Sequence, residues 1–139
     1  MSIRLILFSI ILLPQLVFAK IPDTKIPQSI QTYFSQNRLG PELVSAEVFN
    51  HYQSGRTLKL KIIARRNMSG KDLAFAFAAA AAVAHYANKP IELLWVEMDI
   101  NFKDSETTVA IAPANCTIDA IIFGNVPTEK WWEDCMRIP

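Results

Sequence analysis

The chain reads as an α+β domain: a four-stranded antiparallel sheet, with a fifth strand available from the tail, and helices on one face. Three observations predict this class. Four segments alternate apolar and polar residues, as half-buried strands do. Two others repeat apolar residues at helical spacing. Short polar or Gly-containing turns join the strands two by two, which gives the order α-β-β-α-β-β and two expected hairpins.

Ahead of the domain, MSIRLILFSIILLPQLVFA has the parts of an export leader. Arg4 supplies a positive start, Leu5 to Leu13 an apolar stretch, Pro14 a break, and Val17-Phe18-Ala19 a site for cleavage after Ala19. The apolar stretch falls short of the roughly 18 to 20 residues that span a bilayer. Residues 1–19 are therefore read as a signal peptide and residues 20–139 as one domain, periplasmic or secreted. Loss of Arg4 with the leader leaves 13 Lys and Arg against 13 Asp and Glu. A neutral chain whose longest basic run is Arg65-Arg66 lacks the electrostatic footprint of a nucleic-acid binder. Attraction to anionic membrane is equally unsupported.

The first element of the domain is a short amphipathic helix. Pro27 suits a first helical turn, Ile26, Ile30, Tyr33 and Phe34 recur at helical spacing, and Gly40-Pro41 ends the run. In ELVSAEVFN, Val44, Ala46 and Val48 are expected on one face and Ser45, Glu47 and Phe49 on the other. After a turn at Ser54-Gly55, TLKLKIIAR places Leu58, Leu60, Ile62 and Ala64 opposite Thr57, Lys59, Lys61 and Ile63.

The long helix is expected over residues 70 to 88. Ser69 and Asp72 have the spacing of a capping box, and Pro90 forbids continuation. Its twelve-residue apolar stretch would rise only ~18 Å, too little to cross a membrane. Leu73, Phe77, Ala80, Ala81 and Ala84 form one stripe, and Phe75, Ala79, Ala82 and Tyr86 a second. A helix apolar on so much of its circumference is buried on more than one side. One stripe is expected on the sheet, the other under the first helix or the tail.

IELLWVEMDINF gives the third strand, with Leu94, Val96, Met98, Ile100 and Phe102 facing in and Trp95, Glu97, Asp99, Asn101 and Lys103 facing out. A turn at Lys103-Asp104-Ser105-Glu106 leads to TTVAIA, the fourth strand. The outer face of the sheet should then carry Glu47, Lys59, Lys61, Glu97 and Asp99, with Phe49, Ile63 and Trp95 among them.

In the tail, Ile118, Ile121 and Ile122 suit a helical turn or a short fifth strand, and Lys130 to Asp134 another helical turn. Cys116 and Cys135 form an even pair in an exported chain and read as one disulfide, with two buried free thiols as the alternative. A bridge at this spacing would contribute about 3 kcal/mol and hold the tail to the domain.

Few residues point to chemistry. His51 and His85 have no second ligand at metal spacing, no cofactor motif is present, and there is no catalytic signature around either Cys. Glu97 and Asp99 share a strand face about 7 Å apart, a separation that acid–base hydrolysis can use. Adjacent Trp131 and Trp132 point about 100° apart on a helix, so that one can pack inward while the other meets a partner. Trp95 belongs to the same candidate surface. The leading expectation is a small binding protein rather than an enzyme: an inhibitor, immunity protein or accessory of an envelope assembly, contacting another envelope or secreted protein through Trp95, Trp131 and Trp132. A small hydrolase using Glu97 and Asp99, or a carrier of an apolar ligand between the alanine-rich helix and the sheet, are the other two readings.

Overall fold

The computed structural model describes residues 20–100 and 106–139. The leader, residues 1–19, and the turn expected around Lys103-Asp104-Ser105 lie outside the described residues. Within them the chain forms α1 (Ile26–Ser35), β1 (Glu42–His51), β2 (Gly55–Ala64), α2 (Ser69–His85), β3 (Leu93–Ile100), β4 (Glu106–Pro113), α3 (Ala114–Thr117) and α4 (Thr128–Asp134). A π-helical turn, Ile118–Ile122, continues α3. The class is α+β, with further helical turns following the second strand pair.

The sheet order is β1-β2-β3-β4. Each hairpin is antiparallel within itself, as expected, but β2 and β3 run parallel, so the sheet is mixed rather than wholly antiparallel. The cause is α2. Its 17 residues rise ~25 Å, close to the length of a strand, and so return the chain to the end where β2 began. A strand entered from that end runs the same way as its predecessor.

β1 departs from strict alternation. Leu43 pairs with Ile62 but Ser45 pairs with Lys61, so Val44 is the extra residue of a β-bulge. Leu43 joins the periphery of the core, while Val44, expected on the inner face, is exposed.

The core lies between the sheet and the helices. Leu58, Leu60, Ile62, Leu94, Val96, Ala110 and Ala112 supply the inner sheet face; Ala76, Phe77, Ala79, Ala80 and Ala81 meet them from α2. Full burial of four of these alanines puts the helix backbone close to the sheet, since a methyl group holds neighbours apart so little. Ile26, Ile30 and Phe34 bury the apolar face of α1. The second stripe of α2 begins under that helix, where Phe75 makes edge contacts with Tyr33 and Phe34 at 5.5 and 5.1 Å. It ends in solvent at Tyr86.

The start of α2 is secured differently from the expected capping box. Met68 is the N-cap residue, with no side-chain cap bond, and Ser69 is already helical. Asp72 instead turns back to Arg65, accepting from its backbone N–H at 2.8 Å and from its guanidinium at 2.6 and 3.3 Å. The same guanidinium donates to the Leu39 carbonyl at 2.6 Å. Asp72 is 1% exposed, so three donors satisfy a carboxylate that could not be buried alone. One residue pair thereby ties together the end of β2, the first turn of α2 and the loop before β1.

A second clamp sits at the opposite end. Arg56, near the start of β2, donates to both Asp23 oxygens, at 2.9 and 2.6 Å, and to the Pro90 carbonyl. Ile21 forms a parallel bridge with Ala87: its N–H donates to Tyr86 O, and Asn88 N–H donates to Ile21 O, both at 2.7 Å.

The tail packs beneath α2 and along β4. Trp131 is fully buried against Phe77, ring centroids 5.1 Å apart. Cys116 and Cys135 are joined by a disulfide with Cα atoms 6.5 Å apart, inside the ordinary span. Beyond it, Arg137 exchanges two backbone hydrogen bonds of 2.8 Å with Ile111 on the outer edge of β4. Ile118–Ile122, expected as a helical turn or a short fifth strand, is helical, and among the described residues the tail pairs with the sheet through this bridge.

Candidate partner-binding face

The outer face of the sheet is built by register. Glu47, Lys59 and Trp95 form one row across β1, β2 and β3; Ser45, Lys61 and Glu97 form the next; Ile63 lies beside Asp99. From Ser45 onward in β1, and along β2 and β3, the outward residues are those expected from alternation.

An aromatic cluster occupies the end of this face nearest the β1–β2 turn. Trp95 lies 6.5 Å from Phe49 and 6.2 Å from His51, and His51 stacks on Tyr52 at 4.8 Å with an interplanar angle of 25°. Lys59 Nζ stands 5.8 Å from the Trp95 ring centroid, within reach of the negative π face. Thr57, opposite Phe49 in the register, is fully buried, so side chains shelter this end of the face. Trp95 Nε1 is buried without a hydrogen-bond partner among the described residues. A desolvated, unpaired N–H costs about 1–3 kcal/mol, an unusual expense on the outside of a sheet.

His51 also shapes the turn. Its Nδ1 accepts from the backbone N–H groups of Gln53 and Ser54 at 3.2 and 3.3 Å, which leaves Nε2 as the donor on the ring. Tyr52, held against the imidazole, is 88% exposed. Gly55 closes the turn with φ +77°, a conformation favouring glycine. His51, which lacks a second ligand at metal spacing, and Tyr52 thus belong to the aromatic cluster. The signal for His51 was its position two residues from Phe49 on the same strand face.

The other half of the face is ionic. Lys61 Nζ lies 3.7 Å from Glu97 and 3.8 Å from Asp99, and Thr107 Oγ1 donates to Asp99 at 2.7 Å. The two carboxylates considered as an acid–base pair thus share one ammonium, an arrangement characteristic of a solvated charge network worth little to stability.

The three tryptophans fall in different surroundings. Trp95 belongs to the outer face and Trp132 is half-buried beside Trp131, ring centroids 5.3 Å apart. Trp131 is wholly interior, so of the residues expected to meet a partner it has no surface to offer. His85 lies apart from the sheet face, in edge contact with Tyr86 and Phe123. Among the described residues there is no group of three or more His, Cys, Asp or Glu that could hold a metal ion. Compared with known proteins, the chain matches no family model, no curated protein and no solved structure.

Proposed function

We propose that this is an exported binding protein whose partner, another envelope or secreted protein, docks on the outer sheet face around Trp95. The observation that carries the reading is the group formed by Trp95, Phe49, His51 and Tyr52 with Lys59 over the indole. Aromatic anchors beside a cation are the composition of interface hot spots, because they offer large contact area with few torsions to freeze. The charged rows around Lys61 would form the polar rim of such a surface. The disulfide and the lack, among the described residues, of a helix long and apolar enough to cross a membrane are compatible with a periplasmic or extracellular site.

The test is recovery of partners from an envelope extract by the wild type, by a Tyr52→Ala/Lys59→Glu variant and by a control, Gln36→Ala, at the exposed end of α1. Both altered face residues have exposed or half-exposed side chains, and circular dichroism checks that folding is unchanged. A partner retained by wild type and control but lost by the face variant supports the reading. Equal recovery by all three proteins removes it.

A further inference from the structure

We infer that the open edge of β1 receives an extended, basic segment of the partner as an added strand. This rests on the binding-protein reading above and specifies how the partner is held. The two edges of the sheet are treated differently. The β4 edge is bonded at Ile111 by the chain's own Arg137. β1 pairs with β2 alone, and among the described residues no strand lies on its other side. Such an edge presents unpaired N–H and C=O groups, the template for strand addition.

Proteins that keep an edge unpaired protect it with Lys, Pro or bulges. Over Glu42–His51 there is no Lys, Arg or Pro. The devices here are the charges of Glu42 and Glu47 and the bulge at Val44, close to one end, and from Ser45 to His51 the register is unbroken. That leaves a regular stretch long enough for a short strand.

Room exists beside it. A groove of ≈ 630 Å³ runs between α1 and β1, lined by Gln28 and Gln31 on one side and Val44, Ser45 and Ala46 on the other. It can take side chains from one face of an added strand and offers amides to hydrogen-bond with them. The opposite face of that strand would continue the outer sheet face past Glu47 and Phe49.

Charge chooses the occupant. Glu42 and Glu47 are exposed and have no ion pair among the described residues: on β2, Lys59 stands across from Glu47 but reaches over Trp95 instead, Lys61 is paired with Glu97 and Asp99, and Arg56 with Asp23. Two copies joined through β1 would place four carboxylates along one seam with no Lys or Arg on either strand, which opposes self-pairing. A partner strand with Lys or Arg opposite Glu47, and an apolar residue two positions away beside Phe49, satisfies both neighbours.

The probe is a capped ten-residue peptide alternating Lys and Val, titrated into the disulfide-bonded protein labelled with ¹⁵N. Strand addition predicts slower amide exchange across Ser45–His51 and at least tenfold weaker binding of the matching Glu–Val peptide. Of two Lys–Val peptides N-methylated on alternate amides, one should lose binding and the other keep it, since only one set of amides faces β1. Glu47→Gln, a surface change, should weaken the Lys–Val peptide several-fold. Equal binding of both methylated peptides, equal binding of the Glu–Val peptide, or no binding overturns the inference. So does a dimer in sedimentation with β1 amides already protected. Binding that shifts Trp95 and Tyr52 without protecting β1 overturns strand addition while leaving the outer-face reading intact.

Discussion

The Trp131 indole N–H donates to Thr117 Oγ1 at 2.9 Å, and that hydroxyl donates to the Pro113 carbonyl at 2.8 Å. Both side chains are fully buried, so the pair carries a polar chain from α4 through α3 to the end of β4 inside an apolar setting. Trp131→Ala should lose about 3–5 kcal/mol, the range for emptying a large aromatic site. Thr117→Val keeps the volume but strands the indole N–H and should lose about 1–3 kcal/mol. Urea denaturation of the two variants checks the order; a Val variant as costly as the Ala variant would contradict it.

Asp72 serves three donors from Arg65, one of them backbone. Asp72→Ala removes the acceptor while Arg65, with a side chain 42% exposed, can return to water. The expected loss is therefore that of charge-assisted hydrogen bonds, about 1.5–3 kcal/mol, below the 3–5 kcal/mol of a charge left buried. Amide exchange should rise first at Arg65 and in the first turn of α2.

Asp23 is held below its ordinary value of 3.8 chiefly by the hydrogen bonds of Arg56, against a smaller upward push from desolvation. With the folded value depressed, the unfolded chain binds the proton first. The contribution is complete above the unfolded value and disappears as pH falls through the lower folded one. Stability measured from pH 5 down to pH 2 should fall more in the wild type than in Asp23→Asn, and the two curves should converge at the acid end. Near neutrality the gap should not exceed about 1 kcal/mol, because the Asp23 side chain is 37% exposed.

At Gly55 two effects can be separated. A Cβ there would lie 1.8 Å from a Glu92 carboxylate oxygen, but that is the free end of an exposed side chain and can swing away. The φ of +77° cannot be relieved so easily. Gly55→Ala should lose about 1–2 kcal/mol, and adding Glu92→Ala should restore little of it. Thermal denaturation of the single and double variants decides.

Removing the bridge with Cys116→Ala/Cys135→Ala should lose about 3 kcal/mol. Amide exchange at Ile111 and Arg137 should accelerate while the β1–β2 ladder stays protected, since only the tail is released.

Much of this fold was legible because period-two and helical patterns are local properties of the chain. The outer row of Lys59, Lys61, Trp95, Glu97 and Asp99 follows from alternation alone. Parallel pairing of β2 with β3 does not, because alternation is blind to strand direction and only the path of α2 sets it. Val44 was misplaced by a single inserted residue, which shifts part of a strand to the other face. Asp72 had the right spacing for one partner and was taken by another, Arg65, brought near by the turn after β2. The Trp131-Trp132 pair gave no sign of which ring faces inward; Phe77 and Thr117, distant in sequence, decide that.

Ile21 is fastened by two backbone bonds beside the end of α2, and Asp23 by a two-pronged guanidinium near the start of β2. The stretch ahead of α1 is thus held to the helix end and to the sheet at once. Freeing one fastening leaves the other in place, so fraying here takes two ruptures rather than one.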